Sequence, residues 1–173
     1  MRLLLFFALL APGCGDDEDT RPPGVLDLGV RVDETFEPLA EGATMAVILG
    51  PNGLNMVVPS LRSAQIDPRA PDPTVSVTVG GILMAADIEG ARVDMEDDGT
   101  GNVLWDLRVP FQTELCCYIC EEGLMKAKIR DATGRRFEGQ VTIRLERGGC
   151  PDTAACCGDP NTCPDPSLTQ LCE

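Results

Sequence analysis

The sequence predicts an all-β protein: an antiparallel β-sandwich followed by an irregular cysteine-rich tail held by disulfides. Three observations predict it. Apolar residues recur at every second position through much of 25–147, the period of a strand with one buried face. Clusters of Gly, Pro, Asn and Asp separate those runs, and such clusters make turns. Five of the nine cysteines fall in 148–173, where four prolines and few apolar residues leave little room for a core.

The first element, residues 1–13, reads as a targeting leader. Leu3 to Ala11 form a short apolar run behind a single charge, Arg2, and small residues precede Cys14. A bilayer span needs about 20 apolar residues, so this run is too short, whereas a charged start, an apolar stretch and a small-residue cut site make a secretory signal. The Gly13-Cys14 pair behind that run resembles the lipobox of bacterial lipoproteins, although Ala11 stands where Leu is usual and Pro12 is atypical. The resemblance implies cleavage after Gly13 and acylation of Cys14. Several acyl chains on one cysteine exceed the two signals needed for stable anchoring, since each buried CH₂ contributes ~0.8 kcal/mol. The resemblance therefore places the protein in the cell envelope, on the outer membrane in preference to the inner.

Residues 14–24 follow as an acidic, proline-bearing tether, GDDEDTRPPG after Cys14. Such a segment has no apolar area to bury and stays extended and hydrated.

The sandwich is expected over 25–147. Leu26, Leu28, Val30 and Val32 alternate with polar or small residues, as do Val75, Val77 and Val79. Val93 and Met95 form a shorter pair, and Val103, Trp105, Leu107 and Val109 share one face. Met125, Ala127 and Ile129, then Val141, Ile143 and Leu145, complete the set. Turns are expected at Gly50–Gly53, Glu96–Asn102 and Asp131–Gly139, while Pro59 and Pro110 mark strand ends or edges because proline cannot donate to a ladder. Seven to nine short strands with one polar face each favour antiparallel pairing. The layout is similar to immunoglobulin-like and fibronectin-like domains, although no cysteine precedes Trp105 at the place a true immunoglobulin domain requires. A small β-barrel is the alternative. Aromatics are only 4% of the chain, so Val, Leu, Ile and Met must fill the core, and Trp105 is expected to pack in it.

The remaining cysteines are Cys116, Cys117, Cys120, Cys150, Cys156, Cys157, Cys163 and Cys172. An even set in an exported chain predicts a disulfide framework. Three lie in CCYIC and five in 148–173. Both numbers are odd, so full pairing requires a bond between the two groups, and each closed loop contributes typically about 2–4 kcal/mol. Cys117-Tyr118-Ile119-Cys120 also has the spacing of a redox or metal motif. A βαβ context for the first is missing, and an oxidising compartment opposes the second. Asp94-x-Glu96-x-Asp98-Gly99 has the start of a calcium loop, but Trp105 occupies the place of its bidentate Glu, so a hairpin turn is expected instead. No metal or cofactor is expected.

The chain has no histidine. That removes Ser-His-Asp and Cys-His catalysis and the histidine zinc motifs, and no catalytic motif takes their place, so a non-enzymatic module is expected. The net charge is −14, and loss of the leader would remove only one basic residue. This excess repels nucleic-acid phosphate. Expected partners are the membrane, through the lipid, and a protein or glycan of unspecified kind, met by loops such as Gly50–Gly53 and Glu96–Asn102. A thiol–disulfide or metal-handling role for Cys117 and Cys120 is the competing reading.

Overall fold

The computed structural model describes residues 21–51, 53–69, 71–86, 94–112 and 119–148. Regular structure within them is entirely β. The strands are β1 (Gly24–Val25), β2 (Asp27–Val32), β3 (Thr35–Pro38), β4 (Ala43–Leu49), β5 (Asn55–Val57), β6 (Ser60–Ser63), β7 (Asp72–Val79), β8 (Ile82–Ala86), β9 (Glu96–Asp97), β10 (Asn102–Leu104), β11 (Val109–Pro110), β12 (Glu122–Arg130) and β13 (Arg136–Arg147).

They form two sheets. The larger runs β11-β5-β4-β13-β12-β7-β8, with β1 also paired to β13; the smaller runs β3-β2-β6-β10-β9. The larger sheet curls until its outer strands approach each other. A bridge joins Ala85 to Phe111, and the Gln112 N–H donates to the Met84 carbonyl at 2.9 Å.

The central strands are those with the cleanest alternation. β12 pairs β13 over nine residues, from Glu122 opposite Arg144 to Arg130 opposite Arg136, and pairs β7 along its other edge. Val75, Val77, Met125, Ala127, Ile129 and Ile143 are all at most 1% exposed. They belong to one continuous core with Val57, Leu61, Met84, Val109, Phe137 and Leu145. Three aliphatic strands thus build the apolar layer that aromatics are too few to supply.

Not every pairing is antiparallel. β13 runs parallel to β4, Ile143–Arg147 beside Ala43–Val47, and parallel to β1 at Phe137 and Glu138. The sheet is therefore mixed. A period of two specifies which face of a strand is buried and says nothing about the direction of its neighbour.

Alternation also fails at two strand ends. Leu26, just ahead of β2, and Leu28 within it are buried, but Val32 is 37% exposed because the strand has run past the core into the β2–β3 turn. After β10 the expected face of Val103, Trp105, Leu107 and Val109 is broken. Asp106 adopts φ 53°, and the face changes there: Leu104, Leu107 and Val109 lie with the main core, whereas buried Val103 and half-buried Trp105 do not. Met95 is buried just ahead of β9, and Val93 lies outside the described residues.

The three expected turns are present. At the first, the Gly53 N–H donates to the Gly50 carbonyl at 2.9 Å, with Gly53 at φ 76°. At the third, buried Asp131 organises the loop. Its carboxylate accepts from the N–H groups of Thr133 and Arg135 and from the Thr133 hydroxyl, and its other oxygen accepts from the Asp67 N–H at 3.2 Å. Pro59 lies between β5 and β6, and Pro110 ends β11.

Of the cysteines, only Cys120 lies among the described residues. It is disulfide-bonded, adopts φ 70°, and its N–H meets the Leu145 carbonyl at 2.5 Å, beside the end of β13. Cys14, Cys116, Cys117, Cys150, Cys156, Cys157, Cys163 and Cys172 lie outside the described residues, as do the leader and the tail beyond Gly148.

Candidate functional site: an arginine–aromatic cleft

The smaller sheet carries a cleft of about 440 Å³ on its outer face, a size within the usual range of ligand sites, about 300–1,000 Å³. It is assembled from four places in the chain: the β2–β3 hairpin, β6, the β9–β10 hairpin, and the residues after β10.

The β2–β3 hairpin closes between Val32 and Thr35, so its turn is Asp33-Glu34. Both adopt positive φ, 44° and 67°. Two-residue hairpin turns of this hand match the twist of the strands but ask for Asn or Gly at the central positions. Glutamate in the left-handed region costs about 1–2 kcal/mol. Glu34→Gly is therefore expected to stabilise the protein by about 1 kcal/mol in thermal denaturation. A variant no more stable than the parent would mean that the turn carries no strain.

Phe36, on β3, sits opposite Arg31, and its ring lies across β2 at Gly29. A Cβ at Gly29 would stand 2.4 Å from the Phe36 ring edge and 2.5 Å from the Glu37 carbonyl oxygen, so only glycine leaves room for the ring. Phe36 is 8% exposed yet stands outside the main core. It forms a second, smaller apolar floor.

Two rings stand side by side there, each with a guanidinium over it. The Arg62 carbon lies 4.3 Å from the Phe36 centroid. The Phe36 and Trp105 centroids are 6.3 Å apart at 54°. The Arg31 carbon lies 5.1 Å from the Trp105 centroid. Each cation–ring contact contributes about 0.5–1 kcal/mol at an exposed site, and the tilted ring pair contributes about as much.

Carboxylates fix this row. Asp106 holds Arg31 at 3.3 Å. Asp27 and Asp98 hold Arg62 at 3.4 and 3.8 Å, and the same guanidinium donates to the Thr100 hydroxyl at 3.1 Å. The Trp105 indole N–H donates to Glu96 at 3.1 Å. The turn after β9 is built on Asp98, whose Oδ1 accepts from the Thr100 and Gly101 N–H groups and from the Thr100 hydroxyl. Burial resists ionisation of this carboxyl, but those hydrogen bonds and the Arg62 charge outweigh it and hold its pKa below the ordinary value. The hairpin turn between β9 and β10 is thus Asp98–Gly101, with Glu96 and Asp97 in the strand ahead of it.

One of the two expected surface loops, Glu96–Asn102, borders the cleft; the other, Gly50–Gly53, lies on the β4–β5 hairpin of the other sheet. Trp105, expected in the core, instead walls the cleft. Arg31, Phe36 and Arg62 were not anticipated. The available signal was Gly29, since a glycine inside an alternating strand marks the close approach of another group.

No protein-family profile and no curated protein matches this chain. Among solved structures it is similar to one titled as the structure of the N-terminal domain of PorA, at 13% identity and a TM-score of 0.31, over 72% of this chain and 99% of that one. That level of likeness assigns no activity. The class defined by the chain's own geometry is a two-sheet β domain with a charged, aromatic-floored cleft on one outer face.

Proposed function

We propose that this chain is a lipid-anchored envelope protein that displays a β-domain for binding, with the Arg31–Trp105–Phe36–Arg62 cleft as its binding surface. The observation that carries the binding role is the cleft itself. A row of ordered side chains stands outside the main core, pinned by four carboxylates and built on a turn with two non-glycine residues in positive φ. Backbone strain of this kind gathers at functional sites. The anchor reading rests on Gly13-Cys14 behind the apolar run, and the acidic tether sets the domain off from the membrane. No catalytic role is assigned.

In this reading Cys116, Cys117, Cys120, Cys150, Cys156, Cys157, Cys163 and Cys172 are structural, and the disulfide at Cys120 supports it. A count of free thiols on the denatured, unreduced chain is expected to find none. Two or more would favour thiol chemistry at Cys117 and Cys120.

The anchor is tested by Cys14→Ser and fractionation of the producing cells. The variant is expected to leave the membrane fraction and to lose the acyl mass that the parent carries. A variant that still sediments with membranes at unchanged mass removes the lipoprotein reading.

A further inference from the structure

Resting on the reading of the cleft as a binding site, we propose that it captures a cationic side chain, arginine or lysine, presented by a protein partner. The donors and acceptors left over in the cleft carry the choice. Both of its cations are already answered within the chain, Arg31 by Asp106 and Arg62 by Asp27, Asp98 and Thr100. Four carboxylates against two guanidiniums line the cleft, so its excess charge is negative. Glu34 has no hydrogen bond or ion pair among the described residues. Glu96 commits one oxygen to Trp105, and Asp97 commits one to the Gly99 N–H. Ionised carboxylates only accept. The excess of acceptors and of negative charge favours an occupant that donates and is cationic over an anion, and a neutral sugar, whose hydroxyls also donate, is told apart from it by the charge dependence of binding.

The rings point the same way. Their electron-rich faces attract cations within about 6 Å, and the chain's own guanidiniums lie within that distance of both. An incoming cation meets the Trp105 wall and the free carboxylates together. The net charge of −14 draws a basic partner and repels an acidic one before contact.

The chain provides its own reporter. Trp105 is its sole tryptophan, so indole emission from the full mature chain reads the cleft directly. The probes are a short arginine–glycine repeat peptide, the same peptide with citrulline for arginine, and neutral oligosaccharides of glucose and N-acetylglucosamine. The arginine peptide is expected to change Trp105 emission saturably. Its affinity is expected to fall about tenfold between about 50 and about 500 mM NaCl. Glu34→Gln and Asp97→Asn should each weaken it about fivefold, while Glu138→Gln, on the other sheet, should leave it unchanged. The citrulline peptide should give no saturable change.

Saturation by a neutral oligosaccharide or by the citrulline peptide, with none by the arginine peptide, overturns the cationic occupant and keeps the cleft as a binding site. Binding of the arginine peptide that ignores both salt and Glu34→Gln also overturns it. Silence of Trp105 toward every probe removes both the occupant and the binding role.

Discussion

Phe137→Ala is expected to destabilise the protein by about 4 kcal/mol. Phe137 is the bulkiest of the fully buried side chains. It stands on β13 opposite Ile129 on β12 and beside Gly24 on β1. A Cβ at Gly24 would lie 2.4 Å from two of its ring carbons, so the ring occupies the space that a side chain on β1 would otherwise fill. The Arg135 guanidinium covers it at 4.8 Å. Removing the ring loses its transfer free energy and opens a cavity that central strands cannot relax into. A domain's whole stability is about 5–15 kcal/mol, so the loss is a large share. Urea unfolding with disulfides intact should give a lower midpoint at an unchanged slope. Phe137→Leu, which keeps most of the volume, should cost about 1.5 kcal/mol. A cost below about 1 kcal/mol for Ala would mean that the ring is not enclosed.

Gly139→Ala is expected to cost about 3 kcal/mol although it adds a single methyl group. The added carbon would stand 1.9 Å from the Leu26 carbonyl oxygen and 2.7 Å from a Leu28 methyl. The nearest obstacle is backbone, which cannot swing aside as a side chain can. The segment joining β1 to β2 must therefore lift off β13. That breaks the bond from the Leu26 N–H to the Glu138 carbonyl, 3.1 Å long, and unseats Leu26 and Leu28, which are 3% and 5% exposed. Amide exchange at Leu26 should accelerate along with the loss in melting temperature. If Leu26 exchange is unchanged, the crowding is relieved elsewhere and the close approach at Gly139 is wrong.

These two positions differ in how far the sequence announces them. Val75, Val77, Val79, Met125, Ala127, Ile129, Val141, Ile143 and Leu145 were legible because β7, β12 and β13 are long, and each presents one face to the core. Gly139 and Gly29 were legible only in part, because a glycine inside a strand marks a close approach but not which group makes it. Trp105 was misplaced for a local reason: the positive φ of Asp106 ends the alternation that its neighbours suggest. The parallel pairing of β13 with β1 and β4 was hidden, because periodicity is blind to direction. The cleft was hardest to read. Arg31, Phe36, Arg62, Glu96 and Trp105 come from well-separated segments, and only register between non-consecutive strands brings them together. The local signals were the turn residues of the Glu96–Asn102 loop and Gly29 inside the alternating β2.

The closing role of β13 bears on how the protein is made. The last described strand holds the first one, and one edge of β4, in register, so the ribosome must release residues to about Arg147 before β1 and that edge of β4 have their partner. Pairings between distant parts of a chain form slowly. A nascent chain still missing β13 has no stable place for Leu26 or Met45, so the larger sheet closes late, after nearly all of the described residues have left the ribosome.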